Sequence, residues 1–212
     1  MFILASASAS RKGLLKHYRF RVVPSRVREV KRKTLRATVL INAKRKAEAV
    51  ARNHPHDWVL AADTLIAFEG KVYGKPRDRK AAARLWTRLA GRTHTLMTGV
   101  VLQKGAFRIV RVSTSLVTVR ENPPIDRLLK SIDPTRYAGG YRIKPKNDPL
   151  IARIEGSRSN VIGLPMEIVD PLLRNLRLAL TQVRSPRKGR KRPARRSSRR
   201  ASGRASSRRR RR

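Results

Sequence analysis

The most informative stretch of the sequence is Trp58-Val-Leu-Ala-Ala-Asp63-Thr64-Leu-Ile-Ala-Phe68-Glu-Gly70-Lys-Val-Tyr-Gly74-Lys75-Pro76. Two short apolar runs flank a single carboxylate, Asp63, and predict a buried strand that carries it. Glu69-Gly70-Lys71 then predicts a tight turn, and the chain returns to Lys75 in a Gly/Pro bend. A carboxylate can activate water or hold a metal, and an ammonium group can neutralise a phosphate oxygen. The stretch is compatible with phosphate chemistry, and its local pattern alone is more typical of a strand-end aspartate and a surface lysine.

The charge of the chain is extreme. It has 53 Lys and Arg residues against 13 Asp and Glu residues, which gives a formal net charge of +40. Residues 184–212 contain 16 of the basic residues and no acid, and the preceding 183 residues still carry a net charge of +24. A positive field of this size attracts polyanions such as nucleic acid, anionic lipid or phosphorylated small molecules.

Composition divides the chain into two parts. Residues 1–183 are long enough for one domain with a proper core. Residues 184–212 are almost devoid of apolar side chains, so we expect a disordered basic tail that could bind nucleic acid nonspecifically. The longest apolar run, residues 58–62, is far shorter than a membrane span, and the start lacks the basic region of a signal peptide. The absence of cysteine agrees with a cytoplasmic protein.

Strands and helices alternate along the chain, which predicts an α/β fold with a mixed sheet. Besides the central strand, strands are expected at Phe2–Ala5, Phe20–Pro24, Leu96–Leu102, Phe107–Val119 and Leu150–Ile154. Helices are expected after an N-cap at Ser10, at Thr34–Arg52, from Asp78 to Gly91, at Pro124–Ser131, and at Leu164–Val183 with an interruption at Pro171.

Several short blocks occur in a specific order. They are Ser6-Ala-Ser8-Ala-Ser10-Arg11-Lys12, Ala62-Asp63-Thr64, Gly74-Lys75-Pro76 and Glu155-Gly-Ser-Arg-Ser-Asn-Val-Ile-Gly-Leu-Pro165. In this order the chain resembles the Maf family of nucleoside triphosphate pyrophosphatases, from Phe2 to about Leu176. The resemblance implies a two-lobed, mixed-sheet fold similar to that of inosine triphosphatases. It also implies hydrolysis of a nucleoside triphosphate to monophosphate and pyrophosphate with a divalent cation (Mg²⁺ or Mn²⁺), by a cytoplasmic and often homodimeric protein.

The resemblance also assigns site residues. The family's catalytic acid falls on Asp63, and its acid after the second strand falls on Glu29. These two carboxylates could share the metal, or Asp63 could instead deprotonate the attacking water. The substrate-binding positions fall on Arg11, with Lys12 as a second candidate beside it, and on Ser6, Ser8, Lys46 and Lys75.

Base preference is left open because the chain departs from each branch of the family. Thr64 agrees with the dTTP/UTP branch, Ser10 agrees with neither that branch nor the methyl-GTP branch, and Lys144 stands where the dTTP/UTP branch has glutamine. Arg28 replaces an acid that is usual before Glu29, and Tyr137 replaces a usual lysine. An alternative hypothesis is therefore a catalytically weakened Maf-fold protein that acts mainly by binding nucleic acid or other polyanions through its basic body and tail.

Overall fold

The computed structural model describes residues 1–176. The predicted tail at 184–212 lies outside these residues, and so does the end of the helix that we expected at Leu164–Val183. Among residues 1–176, no helix combines the length and the apolarity that a membrane crossing needs.

The described residues form one sheet surrounded by helices. The strands are β1 (Phe2–Leu4), β2 (Phe20–Val22), β3 (Val59–Phe68), β4 (Lys71–Tyr73), β5 (Thr93–Lys104), β6 (Phe107–Val119) and β7 (Ile151–Glu155). The α-helices are α1 (Ala9–Leu14), α2 (Leu35–Ala51), α3 (Arg79–Leu89), α4 (Ile125–Ser131), α5 (Arg158–Ile162) and α6 (Met166–Asn175), and two single 3-10 turns lie at Pro134–Arg136 and Ala138–Gly140.

The sheet is mixed, which confirms the predicted α/β class. Its strand order is β2-β1-β3-β5-β6-β7, and β4 pairs with β3 outside this path. Strands β2, β1 and β3 run parallel, whereas β3 is antiparallel to β4 and β5, and β6 is antiparallel to β5 and β7. The parallel part needs crossover connections, which contain α1 and α2, whereas the pairs β3–β4 and β5–β6 are hairpins.

Strand β3 has a gap along one edge. At its start β1 pairs with Val59 and Leu60, and at its end β4 pairs with residues 66–68. Between these two partners, residues 61–65 pair only on the other edge, with β5. We call this interval the sheet gap. Asp63 lies at its centre.

The two faces of β3 at the sheet gap carry different side chains, because successive residues of a strand point to opposite faces. Ala61 packs in a core cluster with alanines of α2, and Ala62 packs in another cluster with Leu164. Asp63 consequently faces α2, and Thr64 faces the side on which α5 and α6 lie. The sheet gap lets residues from both faces reach one cavity.

Helices α2 and α3 begin where the sequence predicted them to begin. The side chain of Thr34 accepts a hydrogen bond from Ala37 N at the start of α2, and that of Asp78 accepts one from Ala81 N at the start of α3. The predicted cap at Ser10 was wrong: α1 is capped by Ser8, whose side chain accepts from Arg11 N. Serines at every second position give the same local signal, so the sequence could not select between them.

The last helix also differs from the prediction, because α6 continues through Pro171. Proline lacks the N–H that would bond to the preceding turn. Val169 and Leu173 are both fully buried on either side of it, and this packing holds the helix together. The short helix α5, which follows β7, was not predicted.

Gly99 sets the distance between α2 and the sheet. It pairs with Asp63 across β3 and β5, and a Cβ at this position would lie only 2.7 Å from the carbonyl oxygen of Val39 in α2. Such an approach is closer than van der Waals contact allows, so any larger residue must push the helix and the sheet apart. The helix that covers Asp63 can lie this close only because residue 99 is glycine.

We expect Gly99→Ala to lower the free energy of unfolding by about 1–3 kcal/mol, because the added methyl group overpacks the contact between α2 and β5. Denaturant titration measures this change. Gly13→Ala is the matched control: a Cβ at residue 13 would have nothing within 4 Å, and alanine favours the helix, so its stability should be equal or higher. Equal free energies of unfolding for the two variants would contradict the close approach of α2 to β5.

Candidate functional site

A cavity of about 280 Å³ opens at the sheet gap. It is lined by residues from β3, α1, α2 and the loops that follow β1, β2 and β4. Nine of the residues that the sequence singled out lie in its wall: Ser6, Ser8, Ser10, Arg11, Glu29, Lys46, Asp63, Thr64 and Lys75. The structure thus brings together side chains that are widely separated along the chain.

Asp63 lies in the wall of this cavity and is almost fully buried. Its carboxylate accepts two hydrogen bonds from α2: Lys46 Nζ lies 2.6 Å from Oδ1, and Asn42 Nδ2 lies 3.1 Å from Oδ2. Asn42 and Lys46 are one helical turn apart, so both reach the same strand residue. The carboxylate is held in one orientation, and its remaining lone pairs can accept a proton or a metal.

Lys46 connects Asp63 to Glu29. Its Nζ also donates to Glu29 Oε1 at 2.6 Å, and its side chain is only 12% exposed, compared with 54% for Glu29. Burial would raise the pKa of Glu29, but the charge and hydrogen bond of Lys46 and the charges of Lys75 and Arg11 outweigh it and lower that pKa. Glu29 is therefore held in its ionised form beside Asp63.

Arg11 fixes the opposite side of the cavity. Its Nε donates to the carbonyl oxygen of Gly163 at 2.8 Å, Nη1 donates to Ser6 Oγ at 3.2 Å, and Nη2 donates to Thr64 Oγ1 at 3.0 Å. Burial lowers the pKa of Arg11, while the charges of Asp63 and Glu29 act in the other direction. These bonds use three of the five guanidinium N–H groups, so two remain for an anion in the cavity.

Thr64 supports Arg11. Its Oγ1 lies 2.9 Å from Thr98 Oγ1 and 3.3 Å from the carbonyl oxygen of Gly163. The loop of serines beside it is also ordered by hydrogen bonds, because Ser6 Oγ accepts from Ser8 N at 3.3 Å as well as from Arg11. The threonine that follows the central aspartate thus positions the guanidinium group.

Two of the predicted residues lie elsewhere. Lys12 is exposed and does not line the cavity. Lys144 lines a different pocket, together with Arg120 and Arg158. The structure gives neither residue a contact with the cavity, and their roles stay predictions.

Another part of the cavity wall contains two tyrosines. Tyr137, Ala138 and Tyr141 lie in it, and the hydroxyl of Tyr141 is 2.7 Å from His94 Nε2. Burial lowers the pKa of His94 to about 4, so the ring is neutral at neutral pH. The buried histidine holds Tyr141 in place.

The carboxylates suit a hard cation. Glu29 and Asp63 both lie 2.6 Å from the same nitrogen, so their oxygens converge on one spot of the wall. Within residues 1–176 no group of three or more His, Cys, Asp or Glu side chains is placed to hold a metal. A Mg²⁺ or Mn²⁺ ion would therefore take two protein carboxylates at most and complete its shell with phosphate oxygens and water, which is the usual mode for Mg²⁺.

Asn42 is the site residue that sequence reasoning missed. It lies on the buried face of α2 between Val39 and Ala43, and it is only 2% exposed. It also bonds the main chain of Val30, donating to its carbonyl oxygen at 3.1 Å and accepting from its N at 2.9 Å, which anchors the loop that carries Glu29. An amide on an otherwise apolar helix face was the available signal.

The arrangement can act on a phosphorylated ligand. Three cationic side chains from different parts of the fold line one polar cavity together with a pair of carboxylates. They belong to Arg11 on α1, Lys46 on α2 and Lys75 after β4. Cations neutralise phosphate oxygens, and a fixed carboxylate can take a proton from water. The geometry combines these two functions in one place.

Comparisons with known proteins agree with this chemistry. The family model described as Maf-like protein matches residues 1–176. A dTTP/UTP pyrophosphatase of Myxococcus xanthus is 39% identical over 186 residues, which cover 85% of this chain and 94% of that protein. A dTTP/UTP pyrophosphatase of Moorella thermoacetica is 40% identical (81% of this chain and 92% of that protein), and one of Pyrococcus furiosus is 34% identical (81% and 93%).

We expect Lys46→Met to raise the pKa of Glu29, because the substitution removes the ammonium group that lowers it. A depressed carboxyl pKa in the folded state gives stability that is present above the unfolded pKa and is lost as pH falls through the folded pKa. The variant should therefore lose less stability on acidification than the parent protein does. Carboxyl ¹³C NMR titration measures the pKa, and denaturation at several pH values measures the stability.

Lys44→Met is the control, because Lys44 lies on the same helix and does not line the cavity. It should leave the titration of Glu29 close to that of the parent protein. An unchanged Glu29 titration in Lys46→Met would show that the bridging ammonium group does not set the charge of this carboxylate.

Proposed function

The chain belongs to the Maf family, and we propose that it hydrolyses dTTP and UTP to the nucleoside monophosphate and pyrophosphate, with Asp63 as the catalytic base. One observation carries the proposal: Lys46 joins the carboxylates of Asp63 and Glu29 in a cavity that also holds Arg11 and Lys75. Phosphoryl transfer is catalysed mainly by positioning and by charge stabilisation, and this set of residues provides both.

In the proposed sequence of events, cationic side chains first bind the triphosphate. Arg11 has two N–H groups to offer to phosphate oxygens, and Lys75 adds an ammonium group from the turn after β4. Serines of the loop after β1 offer hydroxyl groups on the same side of the cavity. Together they would orient the triphosphate so that its α phosphorus lies near the fixed carboxylate of Asp63.

The chemical step follows from the position of Asp63. A water molecule attacks the α phosphorus, a new O–P bond forms, and the bond from the α phosphorus to the bridging oxygen breaks. Pyrophosphate leaves with the electron pair, and the proton of the water passes to the Asp63 carboxylate. Asn42 and Lys46 keep this carboxylate oriented throughout.

A divalent cation, when bound, neutralises negative charge on the phosphate oxygens. Glu29 and Asp63 are the residues that would hold it. Lys46 would then share the carboxylates of Glu29 and Asp63 with the cation. The ammonium group of Lys46 would remain close enough to stabilise charge on the substrate.

The choice of base is inferred from the relatives, which are named for their activity on dTTP and UTP. Thymine and uracil present the same hydrogen-bonding edge and differ by one methyl group, so one pocket can accept both. Thr64 agrees with that branch of the family, and Ser10 lies in the same cavity wall. Lys144 does not line the cavity, so the proposal does not depend on it. Such a substrate fits the expected cytoplasmic location, and the expected homodimer stays a prediction.

We expect the protein to release pyrophosphate from dTTP and UTP faster than from ATP or GTP in the presence of Mg²⁺ or Mn²⁺. Asp63→Asn should lower kcat about 10²- to 10⁴-fold, because an amide cannot accept the proton from water. Asp57→Asn is the matched control, since Asp57 lies on the loop before β3 and pairs with Arg21 outside the cavity. It should keep the parent rate.

The outcomes separate the parts of the proposal. Undiminished turnover by Asp63→Asn would contradict the catalytic role, provided that melting curves show both variants folded. Faster release from purine triphosphates would contradict the base assignment alone. No release from any triphosphate would favour the alternative hypothesis of a weakened enzyme, in which the replacements at Arg28 and Tyr137 have disabled the site.

A further inference from the structure

A second depression lies beside the active-site cavity, and its volume is about 400 Å³. We call it the basic groove. Its cations are Lys31, Lys75, Arg84 and Arg88, and its other lining residues include Val72, Tyr73, Pro76 and Leu85.

The basic groove adjoins the cavity. Gly74 and Lys75 line both of them. The charge of Lys75 also contributes to the lowered pKa of Glu29, so its ammonium group acts on the cavity side as well. A ligand that fills the groove would therefore meet a residue that we assign to the triphosphate.

The cations of the groove are poorly matched by acids. Among residues 1–176 the structure gives no ion pair to Lys31, Lys75 or Arg84, whereas Arg88 pairs with Glu69. On α3, Lys80, Arg84 and Arg88 are spaced four residues apart, and like charges at this spacing repel each other. A single triphosphate can neutralise only a small part of the +23 charge that residues 1–176 carry. The excess positive charge favours binding of a ligand with many negative charges.

The floor of the groove is not purely polar. Tyr73 is half-buried, with its hydroxyl group accepting a hydrogen bond from Arg88 at 3.0 Å, and Pro76, which also lines the groove, is half-buried. Cations next to an aromatic and apolar floor are the combination on which single strands lie, because the phosphates meet the charges and the bases meet the flat surface. A simple polyanion would gain nothing from such a floor.

We propose that the basic groove binds single-stranded nucleic acid, with phosphates at Lys31 and Arg84 and bases against the side of Tyr73. A strand bound there competes with the triphosphate for Lys75. This site is separate from the predicted tail, and its binding does not require the proposed hydrolysis.

The experiment uses the full chain and a fluorescein-labelled oligodeoxythymidylate of about 16 nucleotides, the upper end of common site sizes. Fluorescence anisotropy gives the dissociation constant over a range of NaCl concentrations. The groove variant is Lys31→Ala with Arg84→Ala, and the control is Lys104→Ala with Arg19→Ala, two exposed residues that do not line the groove. Both variants lose one lysine and one arginine, and both keep the tail.

For the groove variant we expect the slope of log K against log [NaCl] to become shallower by about 1.4, because each phosphate contact to a single strand contributes about 0.7. The control should keep the parent slope. Equal slopes for the two variants would overturn the proposal. Inorganic polyphosphate that binds as tightly as the oligonucleotide, with the same dependence on Lys31 and Arg84, would overturn the assignment to nucleic acid.

Turnover provides the second readout. The oligonucleotide should inhibit pyrophosphate release by the parent protein and the control more strongly than release by the groove variant. Inhibition that is the same for all three proteins would contradict competition at Lys75. If the protein released no pyrophosphate at all, the proposal of hydrolysis would be contradicted. The anisotropy measurement would still test whether the groove binds single-stranded nucleic acid.

Discussion

The ammonium group of Lys46 holds the site together, because it lies between two carboxylates that would otherwise repel each other. Its bonds to Asp63 and Glu29 are both 2.6 Å long, and its side chain is largely buried. A buried charge that loses its partner is strongly destabilising, so the buried groups Lys46 and Asp63 depend on each other. The interaction also ties three elements together: the long helix α2, the central strand β3 and the loop before α2.

The sheet gap explains how residues from both faces of β3 meet in one cavity. A strand that is paired along both edges presents its side chains to two separate cores, and these cannot cooperate. Where β3 lacks a partner on one edge, Asp63 from one face and Thr64 with Arg11 from the other face line a single cavity. Gly99 completes the arrangement by letting α2 approach closely enough for Asn42 and Lys46 to reach the carboxylate.

Much of this could be predicted from local sequence. Apolar spacing and capping residues indicated α2 and α3, and the β3–β4 turn followed from Glu69-Gly70, both of which have positive φ angles. The Asn42–Asp63 bond could not be predicted, because it depends on how closely a helix approaches a strand 21 residues away in sequence. Lys144, which the sequence register placed among the specificity residues, lines another pocket, and its role stays a prediction.

We propose that this site directs water to the α phosphorus of the triphosphate. Hydrolysis of dTTP in ¹⁸O-labelled water, followed by mass spectrometry of both products, identifies the phosphorus that is attacked. We expect the label to appear in the nucleoside monophosphate and the pyrophosphate to stay unlabelled. Label in the pyrophosphate would mean attack at the β phosphorus, and it would contradict the proposed position of the substrate beside Asp63.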